Sequence, residues 1–375
     1  MRRREHWITS VIIWAMLVSL LALGVSGWAL EKKFDKQTQE KMEKALDKAM
    51  QESRSPAAIV GVWAPGDGTW VVAKGTADIE TGQLAQIEDK TRLGSITKTF
   101  VATAILQLVD EGKIGLDEAA NKYLSFMPGE SKVTVRQLLN HSSGIFDAEN
   151  DDPVFRKAVN ENPSRRLFPQ EIVEVSLAHE PYNQPGKGAH YSNTNYKLLG
   201  MIVEEVTGKD LGVVIQEKII DRLGLSNTVF ATQPDIRGDH LHGYAVLESE
   251  TIDVTIQPSI WMLWASGNMV SNLQDQKEWA KALGRGALLS KKTYEEMMSW
   301  IEIVVRTGKI EYGLGVFKVG DRFIGHAGVV TGYYGRIAYD PGTDITIVLF
   351  FNQLGAKEDV DVYESFLHEL IDILR

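Results

Sequence analysis

A serine three residues ahead of a lysine, in Ser95-Ile96-Thr97-Lys98, is the pairing in this chain best suited to nucleophilic chemistry. Residues three apart share a face of a helix, so the lysine side chain reaches the serine hydroxyl. A serine at a helix start also meets the positive end of the helix dipole, which favours the negative charge that builds during attack. Two more groupings carry usable groups. Tyr191-Ser192-Asn193 offers a phenol and an amide, and His326-Ala327-Gly328 offers an imidazole on an expected strand just before Val329. Taken singly, each has a plain structural reading: a serine near a helix start, a packed ring, a satisfied strand histidine.

Other chemistries find little support. The chain has no cysteine, which removes disulfides, thiolate metal sites and a cysteine nucleophile. His240 and His242 stand two apart and no HExxH occurs, so a zinc site would need ligands from scattered positions. Gly313-Leu314-Gly315 lacks the third glycine and the following helix of a dinucleotide site. Neither a P-loop nor a GxSxG nucleophile elbow is found. With Lys+Arg 40 against Asp+Glu 50, the formal net charge is −10, which argues against a nucleic-acid partner.

The elements that must position these groups can be read from periodicity. Met42, Leu46 and Met50 make one stripe on a helix spanning about 34–51. AAIVGVW and TWVVAKG flank PGDG at 65–68 and read as a hairpin. From Ser95 to Glu111, Phe100, Val101, Ala104, Ile105, Leu108 and Val109 recur at helical spacing, and Gly112 stands where a helix-ending glycine belongs. Helical patterns continue at 134–140, 171–179 and 195–207, the last closed by Gly208, so the middle of the chain reads as mostly helical with long loops. YGLGVFKV, RFIGHAG, YYGRIAYD and ITIVLFFN read as an antiparallel meander, followed by a helix over about 359–374. The 375 residues set a prior of two domains. The pattern suggests an α+β fold with one sheet built from both chain ends. Its sheet part would comprise 31–92 and 275–375, with a mainly helical part at 93–274.

Residues 1–30 stand apart. Arg2, Arg3 and Arg4 precede an uncharged stretch from Ile8 to Leu30 that ends in Gly27-Trp28-Ala29. This describes a secretory signal peptide or, uncleaved, a membrane anchor. Either implies a body exported to an extracellular or periplasmic space, with membrane contact only through 8–30.

Together and in this order, SxxK, YxN and [KH]-x-G resemble the serine β-lactamase and penicillin-binding DD-peptidase superfamily. GSITKTFVATAILQLVDEGKIGLD, VTVRQLLNHSSGI, HYSNTNYKLLGMIVEEVTG and GHAGVVTGYYG are similar to its class C branch, which includes secreted D-alanyl-D-alanine carboxypeptidases. The resemblance spans roughly residues 50–370. It implies an antiparallel sheet flanked by helices and a reaction through a Ser95 acyl-enzyme on D-amino-acid peptides, with peptidoglycan stem peptides as the class. Esters and amides, or a silent peptide-binding module, are the alternatives.

The resemblance also distributes roles. Ser95 would be the nucleophile, and its proton acceptor either Lys98 or, as this branch favours, Tyr191 as phenolate. The oxyanion hole would be the backbone N–H groups of Ser95 and Val329, with Gly328 beside it. Asn193 would bind the substrate amide. His326, charged below its ordinary pKa of about 6.5, would assist proton transfer. This chemistry calls for no metal or cofactor. The chain departs from the carboxypeptidase pattern at the substrate-carboxylate end: Ala327 and Val329 lack hydroxyls, and Phe317-Lys318 follow Tyr312-Gly313-Leu314-Gly315-Val316 where an arginine is expected. A weak carboxylate clamp would suit esters, amides or internal D-peptide bonds.

Overall fold

The computed structural model describes residues 32–375 apart from 163–164, 248–249, 257–259, 306–307 and 356. The expected leader at 1–30 lies outside the described residues. A nine-stranded antiparallel sheet organises the rest. Its strands are β1 Ala57–Ala64, β2 Gly68–Asp78, β3 Gln83–Leu84, β4 Ile301–Val305, β5 Gly308–Tyr312, β6 Phe317–Val319, β7 Phe323–Val330, β8 Tyr333–Tyr339 and β9 Thr346–Phe351. The order across the sheet is β3-β2-β1-β9-β8-β7-β6-β5-β4. The first hairpin therefore joins the last meander directly, β1 against β9 with Ala58 opposite Phe351 and Trp63 opposite Thr346. Hydrophobic periodicity had left that pairing open.

Both faces of the central strands are covered, which is why they read as unbroken apolar runs. Along β1 and β9, Val60, Val62, Leu349 and Phe351 point to one core. There they meet Met42 and Leu46 of α1 (Lys36–Ser53) and Phe366, Leu367 and Leu370 of α7 (Lys357–Ile373). Ile59, Val348 and Phe350 point the opposite way, to a second core with the helical part. Asp35 caps α1 by accepting from Thr38 N at 3.0 Å.

Several helices lie between the two ends of the sheet, and five of them bear on the site. They are α2 Thr97–Asp110, α3 Val135–Leu139, α4 Pro169–Ala178, α5 Asn193–Thr207 and α6 Leu273–Gly284. The α2 pattern suggested one apolar face, but the helix is buried on every side from Thr97 to Leu108. It runs between the sheet and the helical layer, so its polar groups need internal partners. Trp279 of α6 stacks on Phe100 at 4.0 Å and donates to Thr99 Oγ1 at 2.8 Å. Gly112 ends the helix with φ 70°.

The helical middle also holds β structure that periodicity did not show. Thr91–Arg92, Met269–Ser271 and Val229–Phe230 form a small three-stranded sheet, and Tyr244–Leu247 pairs with Glu250–Asp253. Strands of two to four residues are too short to carry a clear alternation. The hairpin of β4 and β5 was also outside the sequence reading, although Ile301, Ile303 and Val305 do alternate.

Candidate active site

Ser95 sits in a single 3₁₀ turn, Gly94–Ile96, that runs on into α2. This places its hydroxyl at a helix start, half-buried, with Lys98 one turn further along. Strand β7 passes close to the same turn. A side chain at Gly94, whose φ is 50°, would fall 2.8 Å from Val329 N, and one at Gly328 would fall 1.8 Å from Leu93 O. The two glycines thus let backbone approach backbone, and they bring Val329 beside the nucleophile turn.

Lys98 is fully buried. Its Nζ lies 2.8 Å from each of Ser95 Oγ, Asn193 Oδ1 and Ser266 O. Burial pushes the ammonium down from its ordinary value, and repulsion from Lys197 pushes it further, to about 7. Asn193 opens α5, and its backbone N–H donates to Asp147 Oδ2 at 2.9 Å. Ser266 ends a turn in which Trp264 has φ 36°, an uncommon conformation for a bulky side chain.

Tyr191 stands just ahead of α5. Its ring stacks on His141 at 4.2 Å, and Lys98 Nζ lies 5.0 Å from its centre. Its hydroxyl interacts with Ser95. Desolvation holds the phenol well above its ordinary pKa, outweighing the help from Ser95. This burial disfavours the phenolate base that family resemblance favours and leaves Lys98 as the better-placed proton acceptor.

His326 is buried as well. Burial, and then the Lys98 charge, lower its pKa to about 3, so the ring is neutral at physiological pH. Its two nitrogens are both engaged: Nδ1 donates to Ala327 O at 2.5 Å and Nε2 accepts from Tyr312 OH at 2.9 Å.

The expected carboxylate end carries no free donor on the residues singled out above. Lys318 is paired with Glu311 at 3.2 Å. Phe317 is buried, with its ring 4.8 Å from that of His326 and 4.4 Å from the Arg336 guanidinium. Arg336, opposite Ala327 in the sheet, is itself buried and turned to Glu364 at 3.3 Å.

Sequence reasoning missed several groups. Lys197 and Glu149 form a buried pair at 2.5 Å, and Lys197 Nζ lies 3.3 Å from Ser266 Oγ. The one available signal was a lysine inside the apolar run of α5. His141, buried, with φ 61° and a pKa held well below 6.5 by burial and by Lys98, accepts from Ser192 N and Asn195 Nδ2 at 3.2 Å each. Ser266 reaches the site only through the tertiary fold. Among the described residues no group of three or more His, Cys, Asp or Glu could hold a metal ion.

The Beta-lactamase family model matches residues 42–369. A D-stereospecific amidohydrolase from Streptomyces sp. shares the fold at TM-score 0.76 and 30% identity, covering 87% of this chain and 98% of that one. A D-amino acid amidase from Ochrobactrum anthropi SV3, in complex with L-phenylalanine amide, gives TM-score 0.79 and 25% identity over 91% of this chain and 100% of its own. Among curated sequences, the putative penicillin-binding protein PbpX of Bacillus subtilis (strain 168) is 26% identical over 260 residues, 69% of this chain and 61% of its own length. Protein flp of Staphylococcus aureus (strain MW2) is 24% identical over 327 residues, 84% and 63%. The chain thus spans under two thirds of these curated relatives.

Proposed function

We propose that this chain, a serine hydrolase that belongs to the Beta-lactamase family, cleaves amides and peptides of D-amino acids through a Ser95 acyl-enzyme with Lys98 as the base. The observation that carries the reading is the set of three contacts at Lys98 Nζ. A neutral amine has two N–H donors and one lone pair. Two of its neighbours are carbonyl oxygens, which can only accept, and the third is a hydroxyl that can donate. The ammonium donates to all three; once it is deprotonated, the two remaining N–H groups can stay on the carbonyls of Asn193 and Ser266, and the lone pair then faces the Ser95 hydroxyl.

Attack then forms the Ser95 Oγ–carbon bond as the proton moves to Lys98. The C–N bond breaks, and the proton passes to the leaving nitrogen, with the neutral Tyr191 hydroxyl placed to relay it. Water hydrolyses the ester and restores Ser95. Backbone N–H groups of Ser95 and Val329 serve the oxyanion. The lack of a side-chain donor at Ala327, Val329 and Phe317 supports a substrate without a free carboxylate there, since an unpaired buried carboxylate is costly. Amides suit that end better than D-Ala-D-Ala free acids, and the amidase neighbours support the same choice.

The test is kcat/KM on D-phenylalanine amide, L-phenylalanine amide and a D-Ala-D-Ala free-acid peptide. The D-amide is expected to lead both. A tenfold preference for the free acid would overturn the specificity. Export, proposed from Arg2–Arg4 and the apolar stretch behind them, is tested by fractionating cells that express the full chain.

A further inference from the structure

A second lysine is buried at this site without a place in the reaction just described. Lys197 has a fully buried side chain, and its carboxylate partner Glu149 is nearly as deep. Stability gives little reason for such a pair, because apolar residues of like volume are commonly as good or better in its place. Its position points to the chemistry. Lys197 follows Asn193 by four residues on α5, so the two share a helix face. Ser266 is touched by both lysines: its carbonyl accepts from Lys98 at 2.8 Å, and its hydroxyl lies 3.3 Å from Lys197 Nζ. Glu149 is fixed in turn. Asp147 Oδ1 caps its backbone N–H at 3.1 Å, while Asp147 Oδ2 holds Asn193 N at 2.9 Å. A single connected group therefore joins Lys98, Asn193, Ser266, Lys197, Glu149 and Asp147.

We infer that Lys197 and Glu149 are positioning residues for acylation: they set the charge of Lys98, with the Lys197 ammonium favouring its neutral form and the Glu149 carboxylate opposing that bias. This rests on reading Lys98 as the base. Lys197 lowers the Lys98 pKa more than Glu149 raises it, and Asp147 acts in the same sense as Glu149; burial raises the Glu149 pKa in turn, and the Lys197 charge beside it works to keep it ionised. The other titratable groups facing Lys98 are His141, Tyr191, Tyr196 and His326, and none adds charge: both histidines are held neutral and both phenols protonated. After attack, Lys98 carries the Ser95 proton beside Lys197, and Glu149 is the nearby anion that keeps two cations tolerable.

The test is the pH dependence of kcat/KM for p-nitrophenyl acetate from pH 5 to 10, on Lys197→Met, Glu149→Gln, the double variant and Lys98→Ala. Lys197→Met should move the acidic limb up by about one pH unit, the scale of one nearby buried charge. The rate should drop roughly tenfold below the limb and recover above it. Glu149→Gln should move the limb down. The double variant should lie between Lys197→Met and wild type, still above wild type because the lysine has the larger effect. A merely structural pair would lower rates at every pH without moving the limb, and that result overturns the inference. If the single variants do not fold, the charge-free double variant decides, and an unmoved limb there overturns it equally. Lys98→Ala separates the two readings. If that variant is inactive while the limbs stay fixed, only the role of the pair fails; if it keeps its activity, the base assignment fails first.

Discussion

Two walls meet at Ser95, and they are furnished differently. The helical wall, from α2, α5, the 147–149 segment and the turn at Ser266, concentrates side-chain chemistry. It holds two buried lysines, two carboxylates and a phenol, most of them hydrogen-bonded to one another. The strand wall, from β6 and β7, offers a neutral histidine with both nitrogens occupied, an alanine, a phenylalanine and exposed Val329. Proton transfer belongs to the first wall. The second supplies shape and backbone donors. A helical layer can surround a lysine on all sides and strip its water, whereas a strand edge lying along a cleft mainly presents backbone. The contrast predicts where substitutions hurt.

Ser95→Ala should hurt most, with a loss on the order of 10³-fold or more and a fold left intact. Retention of a tenth of wild-type turnover would remove the nucleophile from the helical wall altogether. Lys98→Ala should cost about 10²–10⁴-fold at neutral pH, the span of a positioned base. In the wild type, kcat/KM should rise with pH through about 7 as the amine loses its proton. A flat profile between pH 5 and 8 would break the assignment of proton chemistry to this wall.

The same lysine has a stability signature. Its folded pKa, about 7, lies below the unfolded value, so between pH 7 and 10.5 the native state binds fewer protons than the unfolded chain. Stability should therefore rise with pH across that window, and the penalty is complete below it. Lys98→Met should be more stable than wild type near pH 6, by at most roughly 5 kcal/mol, the size of that shift. The gap should close by about pH 11. Thermal melting of the pair at several pH values checks the sign.

Substitutions on the strand wall should be milder. His326→Gln should cost less than tenfold and leave the pH profile between 5 and 8 in place, because the ring is already neutral there. A lost limb would return proton chemistry to β7. Smallest of all, Ala327→Thr should improve a free-acid D-peptide over its amide by about 1 kcal/mol, the worth of one hydrogen bond. Measuring kcat/KM for both substrates would show whether the wall lacks a donor or whether another group supplies it.

The groups that touch Ser95 divide by how far apart they lie in the chain. Ser95 and Lys98 were legible because helical geometry alone fixes the meeting of residues three apart, and the period through Leu108 announces that helix. Tyr191, Asn193 and His326 could be chosen by type and order, but their protonation states could not. Those depend on desolvation, which comes from packing partners such as His141 and Tyr312 far away in sequence. The meeting of Lys197, Glu149 and Ser266 left no local pattern beyond one misplaced charge in an apolar helix. Strands with clear runs are likewise visible one by one, while the β1–β9 pairing that closes the sheet joins residues as far apart in the chain as Ala58 and Phe351 and is set by the tertiary fold.

What the chain determined by itself was the local chemistry: a nucleophile helix, the short motifs around it, and strands apolar enough to be covered on both faces. Tertiary structure alone decided which of those groups are charged. Burial and neighbouring charges change the cost of ionisation by several kcal/mol, and neither is encoded within any single stretch of sequence. The same packing turned Arg336 toward Glu364 with Phe317 against it, a pairing that no local stretch of sequence announces.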